Sequence, residues 1–185
     1  MIRSFFKFIL NNILGFKITG IDPNLYPKKI YAIMPHTSNW DWPLAMVIKI
    51  AMNLDVQYFA KHSLFKWPYA WFFKLTGGIP VNRSSSKNFV DATVESIKKY
   101  EKISIALAPE GTRKRVDKLK SGFYWIARKA NIPLLLVSFD YKNKIIDFAP
   151  PFEMTEYPEA DMESIIAHFR GVEGKIPENS STLYL

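Results

Sequence analysis

The feature that most constrains this chain is an alternation. From residue 30 to 140, short apolar runs of strand length take turns with longer segments of helical spacing. Runs at 30–34, 56–60, 79–82, 103–108 and 133–139 read as strands, and 144–148 as another. Segments at 42–54, 87–101 and 121–130 read as helices, with a C-terminal helix at 161–170. Strands separated by helices need crossover connections, and these lay neighbouring strands parallel. The expected fold is therefore α/β: a mixed, partly parallel sheet flanked by helices, with a short N-terminal amphipathic helix. In such sheets, sites gather where strands end and helices begin. The loops at His36, Arg83 and 110–113 all follow strands, so they can share one edge.

A chain of 185 residues suits one domain with a single sizeable core. Its hydrophobic content of 48% and aromatic content of 15% exclude disorder for the bulk of it. The absence of cysteine excludes disulfides, thiolate zinc sites and cysteine nucleophiles. His36, His62 and His168 lie far apart without metal-ligand spacing, so no metal is expected. The formal charge of +8 points to an acidic partner: nucleic acid, anionic lipid or a phosphorylated substrate. There is no helix-turn-helix, zinc-finger or RNA-binding signature. The aromatics cluster with apolar residues rather than along an extended basic groove, so nucleic acid is not expected. No stretch reaches the roughly 18 uninterrupted apolar residues of a membrane-spanning helix. Nor does the N-terminal run lead to the small-residue cleavage site of a secretory signal.

Three regions follow: an amphipathic membrane-interface helix at 1–17, a main domain at 20–175 and a flexible tail at 176–185. In the first, Ile2, Phe5, Phe6, Ile9, Leu10, Ile13 and Leu14 repeat at helical spacing, with Arg3, Lys7, Asn11 and Lys17 over much of the other side. That pattern fits a helix lying in a membrane interface; the other reading packs it on the domain's own core. Residues 20–29 read as a linker. The aromatic-rich stretch at 63–74 has two readings as well, core packing or a surface resting at a lipid interface.

Chemistry concentrates in Pro-His-Thr-Ser-Asn-Trp-Asp-Trp-Pro at 35–43. On one helix, His36 and Asp41 would be separated by about 500° and would point well apart. They converge only if His36 sits in a loop and Asp41 opens the next helix, the arrangement that the flanking runs predict. A histidine beside a carboxylate at a strand-loop-helix junction is a candidate general base. Asp41 is equally well placed as a helix N-cap.

Four blocks stand in order: HTSNWD at 36–41, GGIPVNR at 77–83, PEGTR at 109–113 and IPLLLV at 132–137. This set resembles the glycerolipid acyltransferases, in particular the lysophosphatidate (1-acylglycerol-3-phosphate) acyltransferases. Their blocks are His-x-x-x-x-Asp, a segment ending in arginine, Glu-Gly-Thr-Arg and a proline-led apolar strand. The resemblance implies transfer of a fatty acyl group from acyl-CoA or acyl-carrier protein to a lysophospholipid hydroxyl, most of all that of 1-acylglycerol-3-phosphate. It implies a peripheral enzyme on the cytoplasmic side of an anionic membrane surface, with no metal or redox cofactor. His36 is then the base, and Asp41 fixes its tautomer. Arg83 and Arg113 are assigned to the acceptor's phosphate, a task suited to the planar guanidinium fork. Glu110 is expected to orient Arg113 or an acceptor hydroxyl. Gly111 is expected to allow a sharp turn or a close approach to the ligand, and Thr112 to donate a hydrogen bond. With no Gly-x-Ser-x-Gly elbow, no acyl-enzyme is implied. Lys114, Arg115, Lys118 and Lys120 read as a solvated or lipid-facing basic loop. The competing readings are another acceptor, such as glycerol 3-phosphate or a lyso-aminolipid, and a non-catalytic membrane lipid-binding protein.

Overall fold

The computed structural model describes residues 1–81 and 89–183. Its centre is a seven-stranded sheet in the order β1-β7-β6-β2-β5-β3-β4. The strands are β1 (Lys17–Gly20), β2 (Lys28–Met34), β3 (Gln57–Lys61), β4 (Gly78–Val81), β5 (Ile103–Leu107), β6 (Leu134–Asp140) and β7 (Ile145–Pro151). Every neighbouring pair is parallel except β6 and β7, which form an antiparallel hairpin. The hairpin turns on Asp140, whose carboxylate accepts from Asn143 N and Asn143 Nδ2. The mixed, partly parallel sheet expected from the alternation is thus present, with most pairs parallel.

Period-two burial splits the core into two layers. Ile30, Ala32, Met34, Leu134 and Leu136 face one side. There they meet α4 (Phe89–Lys98), α5 (Gly122–Ala130) and α6 (Pro158–His168) through Val94, Ile97, Phe123, Ile126 and Ile165. Tyr31, Leu135, Val137 and Phe139 face the other side, against Leu44, Ile48 and Ala51 of α2 (Asp41–Met52). Strands buried on both faces explain why β2 and β6 read as continuous apolar runs.

At the N-terminus the expected helix is shorter than 1–17. It runs as α1 (Ile2–Phe8) and a wider π-helical turn over Ile9–Ile13. Residues 17–20, read partly as helix end and partly as linker, instead add β1 to the sheet edge beside β7. Leu10 and Phe16 are buried against the α2 side of the core, whereas Ile2, Phe5, Phe8 and Ile13 stay exposed. The aromatic stretch divides similarly. Phe72 and Phe73, on α3 (Ala70–Leu75), pack on the Trp42 ring at 5.6 and 6.3 Å, while Trp67 is 91% and Trp71 67% exposed. The helix expected at 87–101 is α4, beginning at Phe89 among the described residues. No helix among the described residues is long and apolar enough to cross a membrane.

Residues 176–183, read from sequence as part of a flexible tail, lie against the body of the domain. A 3-10 turn at Pro177–Asn179 leads to Ser180 and Ser181, both buried. Ser181 Oγ donates to Val116 O at 2.6 Å, and Asn179 Nδ2 to Thr37 O at 3.2 Å. These polar contacts, invisible in a sequence of mixed composition, hold the segment down.

Candidate active site

β2 lies between β5 and β6, parallel to both, with Ala32 beside Leu107 and Met34 beside Ser138. A few residues past these pairs, the three chain ends deliver His36, Glu110 and Tyr141 to one edge of the sheet. Parallel pairing puts all three carboxyl-terminal ends on the same side, which is why distant blocks meet.

His36 follows Pro35 in the loop after β2, and its Nδ1 lies 2.9 Å from Asp41 Oδ2. Asp41 is not the N-cap. Trp40 holds that position, and Asp41 is the first residue of α2. Its carboxylate turns back to the loop, where Oδ2 also accepts from Thr37 N and Ser38 N, each at 3.0 Å. A carboxylate in the first helical turn is also favoured by the helix dipole. Pro43, two residues further on, costs no helical hydrogen bond, because the first-turn N–H groups have no intrahelical acceptor. Asp41 is 4% exposed and its Oδ2 is an acceptor here, so in the neutral imidazole Nδ1 carries the proton and Nε2 keeps its lone pair. Among the described residues, no protein group takes Nε2.

Tyr141 completes the shell. Its hydroxyl donates to Asp41 Oδ1 at 2.8 Å. Burial, the Asp41 charge and this hydrogen bond all push the phenol's pKa upward, so it remains a donor.

Glu110 is 3% exposed, and both its oxygens accept from the backbone N–H of His36, at 3.1 and 2.9 Å. This contact makes Glu110 an anchor for the His36 backbone. Gly111 stands at φ +64°, and its N–H donates to Ala108 O at 2.9 Å. The chain makes a sharp left-handed turn there, which glycine adopts without steric cost. Thr112 is exposed, and its Oγ1 accepts from Lys114 N at 3.3 Å, a local turn contact. Arg113 is exposed and lines a cavity that His36 also lines. Arg83, the other predicted phosphate ligand, lies outside the described residues.

That cavity measures about 640 Å³, inside the range of roughly 300–1,000 Å³ usual for small-molecule sites. It runs between α2 and the sheet, past Trp42, Met46, Tyr58, Phe72 and Phe148, and its lining is largely apolar. Lys49 borders it, but the Lys49 Nζ donates to Val56 O and Thr76 O, pinning α2 to the turn before β4. Burial pushes this ammonium below the usual lysine value. Among the described residues, no group of three or more His, Cys, Asp or Glu side chains is placed to hold a metal ion.

A family model described as Acyltransferase matches residues 17–140, about two thirds of the chain. The chain belongs to the acyltransferase family. It is 30% identical to the 1-acyl-sn-glycerol-3-phosphate acyltransferase of Salmonella typhimurium over 85% of this chain and 70% of that one. The Escherichia coli K12 protein of the same name is 28% identical over the same shares. The crystal structure of the 1-acyl-sn-glycerophosphate (LPA) acyltransferase PlsC from Thermotoga maritima has the same fold, with a TM-score of 0.56. That alignment is 18% identical and covers 89% of this chain and 75% of the other.

In this acyltransferase, His36, Asp41 and Glu110 form one connected group, with Arg113 on the adjoining cavity. Sequence reasoning missed Tyr141 and the Thr37 contacts of the C-terminal segment. Tyr141 lies 100 residues from Asp41 and belongs to no motif. Its only local signal was its place just past the end of an apolar strand.

Proposed function

We propose that this acyltransferase moves a fatty acyl group from an acyl thioester to the hydroxyl of 1-acylglycerol-3-phosphate, in phospholipid biosynthesis at an anionic membrane surface. The observation that carries this reading is the 2.9 Å His36–Asp41 contact beside a largely apolar cavity. An apolar cavity suits a hydrocarbon chain, and a neutral imidazole at its wall suits deprotonation of a hydroxyl. His36 Nε2 takes the hydroxyl proton as the acceptor oxygen attacks the thioester carbonyl carbon. The negative Asp41 stabilises the imidazolium that forms. As the tetrahedral intermediate collapses, the C–S bond breaks and the Nε2 proton passes to the leaving thiolate. The new ester and a free thiol result, and His36 is neutral again. Acyl-CoA and acyl-carrier protein both fit this scheme as donors, and no step calls for a metal or redox cofactor.

Arg113 supplies charge-assisted hydrogen bonds to the acceptor's phosphate, with Arg83 as its partner in that role. The names of the Salmonella and Escherichia coli relatives support this acceptor. The exposed apolar residues of α1, next to Arg3 and Lys7, and the exposed Trp67, Tyr69 and Trp71, next to Lys66 and Lys74, support a peripheral site on the cytoplasmic side of the membrane.

The test is thiol release from palmitoyl-CoA and acyl transfer from palmitoyl-carrier protein, with and without lysophosphatidic acid, beside His36→Ala. Turnover with one donor that needs both the acceptor and His36 is expected. Turnover with glycerol 3-phosphate but not with lysophosphatidic acid refutes the acceptor; turnover by His36→Ala refutes the mechanism.

A further inference from the structure

We infer that Tyr141 is a positioning residue for the His36–Asp41 pair, seated by the C-terminal segment 173–181; this rests on the acyl-transfer reading above. Asp41 has two carboxylate oxygens and must offer a defined one to His36. Oδ2 meets His36 Nδ1 and the Thr37 and Ser38 N–H groups, while the Tyr141 hydroxyl occupies Oδ1. With both oxygens engaged, the carboxylate has one rotational setting. Tyr141 is not among the residues lining the cavity, and its hydroxyl is directed at Asp41.

The C-terminal segment touches a residue on each side of this carboxylate. On the Oδ1 side, Tyr141 N donates to Glu173 O at 2.9 Å. On the Oδ2 side, Ile176 N donates to Thr37 Oγ1 at 3.1 Å, and Asn179 Nδ2 to Thr37 O at 3.2 Å. Between them, Gly174 runs so close to Thr37 that a β-carbon there would stand 2.5 Å from Thr37 Oγ1. The Tyr141 ring meets Phe16 edge-on at 5.3 Å, and Lys175 Nζ lies 5.8 Å from the ring's centre. One segment thus fixes the residue on each side of Asp41.

Tyr141→Phe removes the hydroxyl and keeps the ring contacts, so the fold should survive. In the thiol-release assay, kcat is expected to fall about 10–150-fold, the worth of one hydrogen bond to a buried charge, with KM changed less than about twofold. The proton resonance of His36 Nδ1–H should shift or broaden by NMR, while the variant stays folded at the assay temperature. Gly174→Ala, which pushes on Thr37 with Tyr141 intact, should lower kcat in the same direction. Wild-type kcat in Tyr141→Phe, with His36→Ala inactive, overturns this inference and leaves the base assignment standing. So does a loss that merely tracks the folded fraction while the Nδ1–H resonance stays put. An active His36→Ala instead brings down the acyl-transfer reading itself.

Discussion

At the residue scale, the carboxylate of Asp41 is doing two jobs that a helix cap does not need. It accepts from two loop N–H groups and from an imidazole at once. Asn at this position offers one acceptor oxygen and one NH2 group, and the NH2 cannot accept. Asp41→Asn is therefore expected to lower kcat by about 10³-fold or more, on the scale seen when a triad carboxylate is neutralised, while circular dichroism stays native. Retention of most activity would show that the pair is not a catalytic dyad. Glu110 is a different case, because its contact with His36 is to the backbone. Glu110→Gln keeps one acceptor for His36 N but loses the charge and the second contact. A fall of about 10-fold or more in kcat is expected, together with a lower melting temperature, since a buried charge-assisted bond is worth about 1.5–3 kcal/mol. An unchanged melting temperature would remove Glu110 from its anchoring role.

At the element scale, α6 is tied to α5 and the preceding loop by Asp161. Its carboxylate accepts from Tyr124 OH at 2.7 Å, Thr155 N at 2.8 Å and Thr155 Oγ1 at 2.8 Å. Burial raises this carboxyl's pKa, but the hydrogen bonds from Tyr124 and Thr155 and the nearby Arg128 charge outweigh it and hold the group below the usual carboxylate range. A depressed folded pKa means stability that is present above the unfolded value of about 3.9 and lost as pH falls through the folded value. Asp161→Asn is expected to cost about 2–4 kcal/mol at pH 7, with the deficit shrinking below pH 4. Thermal melts of both proteins from pH 7 to pH 3 measure this directly, and a constant difference across that range contradicts it. The C-terminal segment belongs to this scale too. Removing residues 173–185 takes away the Thr37 and Val116 contacts together, and kcat should fall further than in Tyr141→Phe.

At the scale of the whole molecule, the sheet order decides what meets what. A parallel arrangement with β2 between β5 and β6 collects His36, Glu110 and Tyr141 at one end, next to a cavity that α2 roofs. Exposed aromatic and basic residues of the segment around α3 border that roof, since Phe72 and Phe73 pack on Trp42 of α2. Trp67 and Trp71 contribute little to the core, so replacing both by Ser should leave the melting temperature within a few degrees. Sedimentation with vesicles containing anionic lipid should show weaker binding by that variant. Raising salt from 0.1 to 1 M shortens the screening length from about 10 to 3 Å, so it should weaken wild-type binding without abolishing it. Equal binding by wild type and variant would place the docking surface elsewhere.

The sequence by itself determined the α/β class, most of the helix-strand order and the His36–Asp41 junction. Each of these is written in local periodicity, in chain punctuation or in residues five apart. The motif blocks likewise singled out Glu110, Gly111 and Arg113. What only the tertiary structure decided were contacts made across the sheet. The strand at 17–20 exists because β7 offers it an edge. Glu110 serves His36 because β5 lies parallel to β2. Tyr141 reaches Asp41, and segment 173–181 closes on Thr37, through hydrogen bonds between groups 100 or more residues apart. A single sequence carries no periodic trace of such pairs, because their geometry comes from strand register and packing rather than from neighbouring residues.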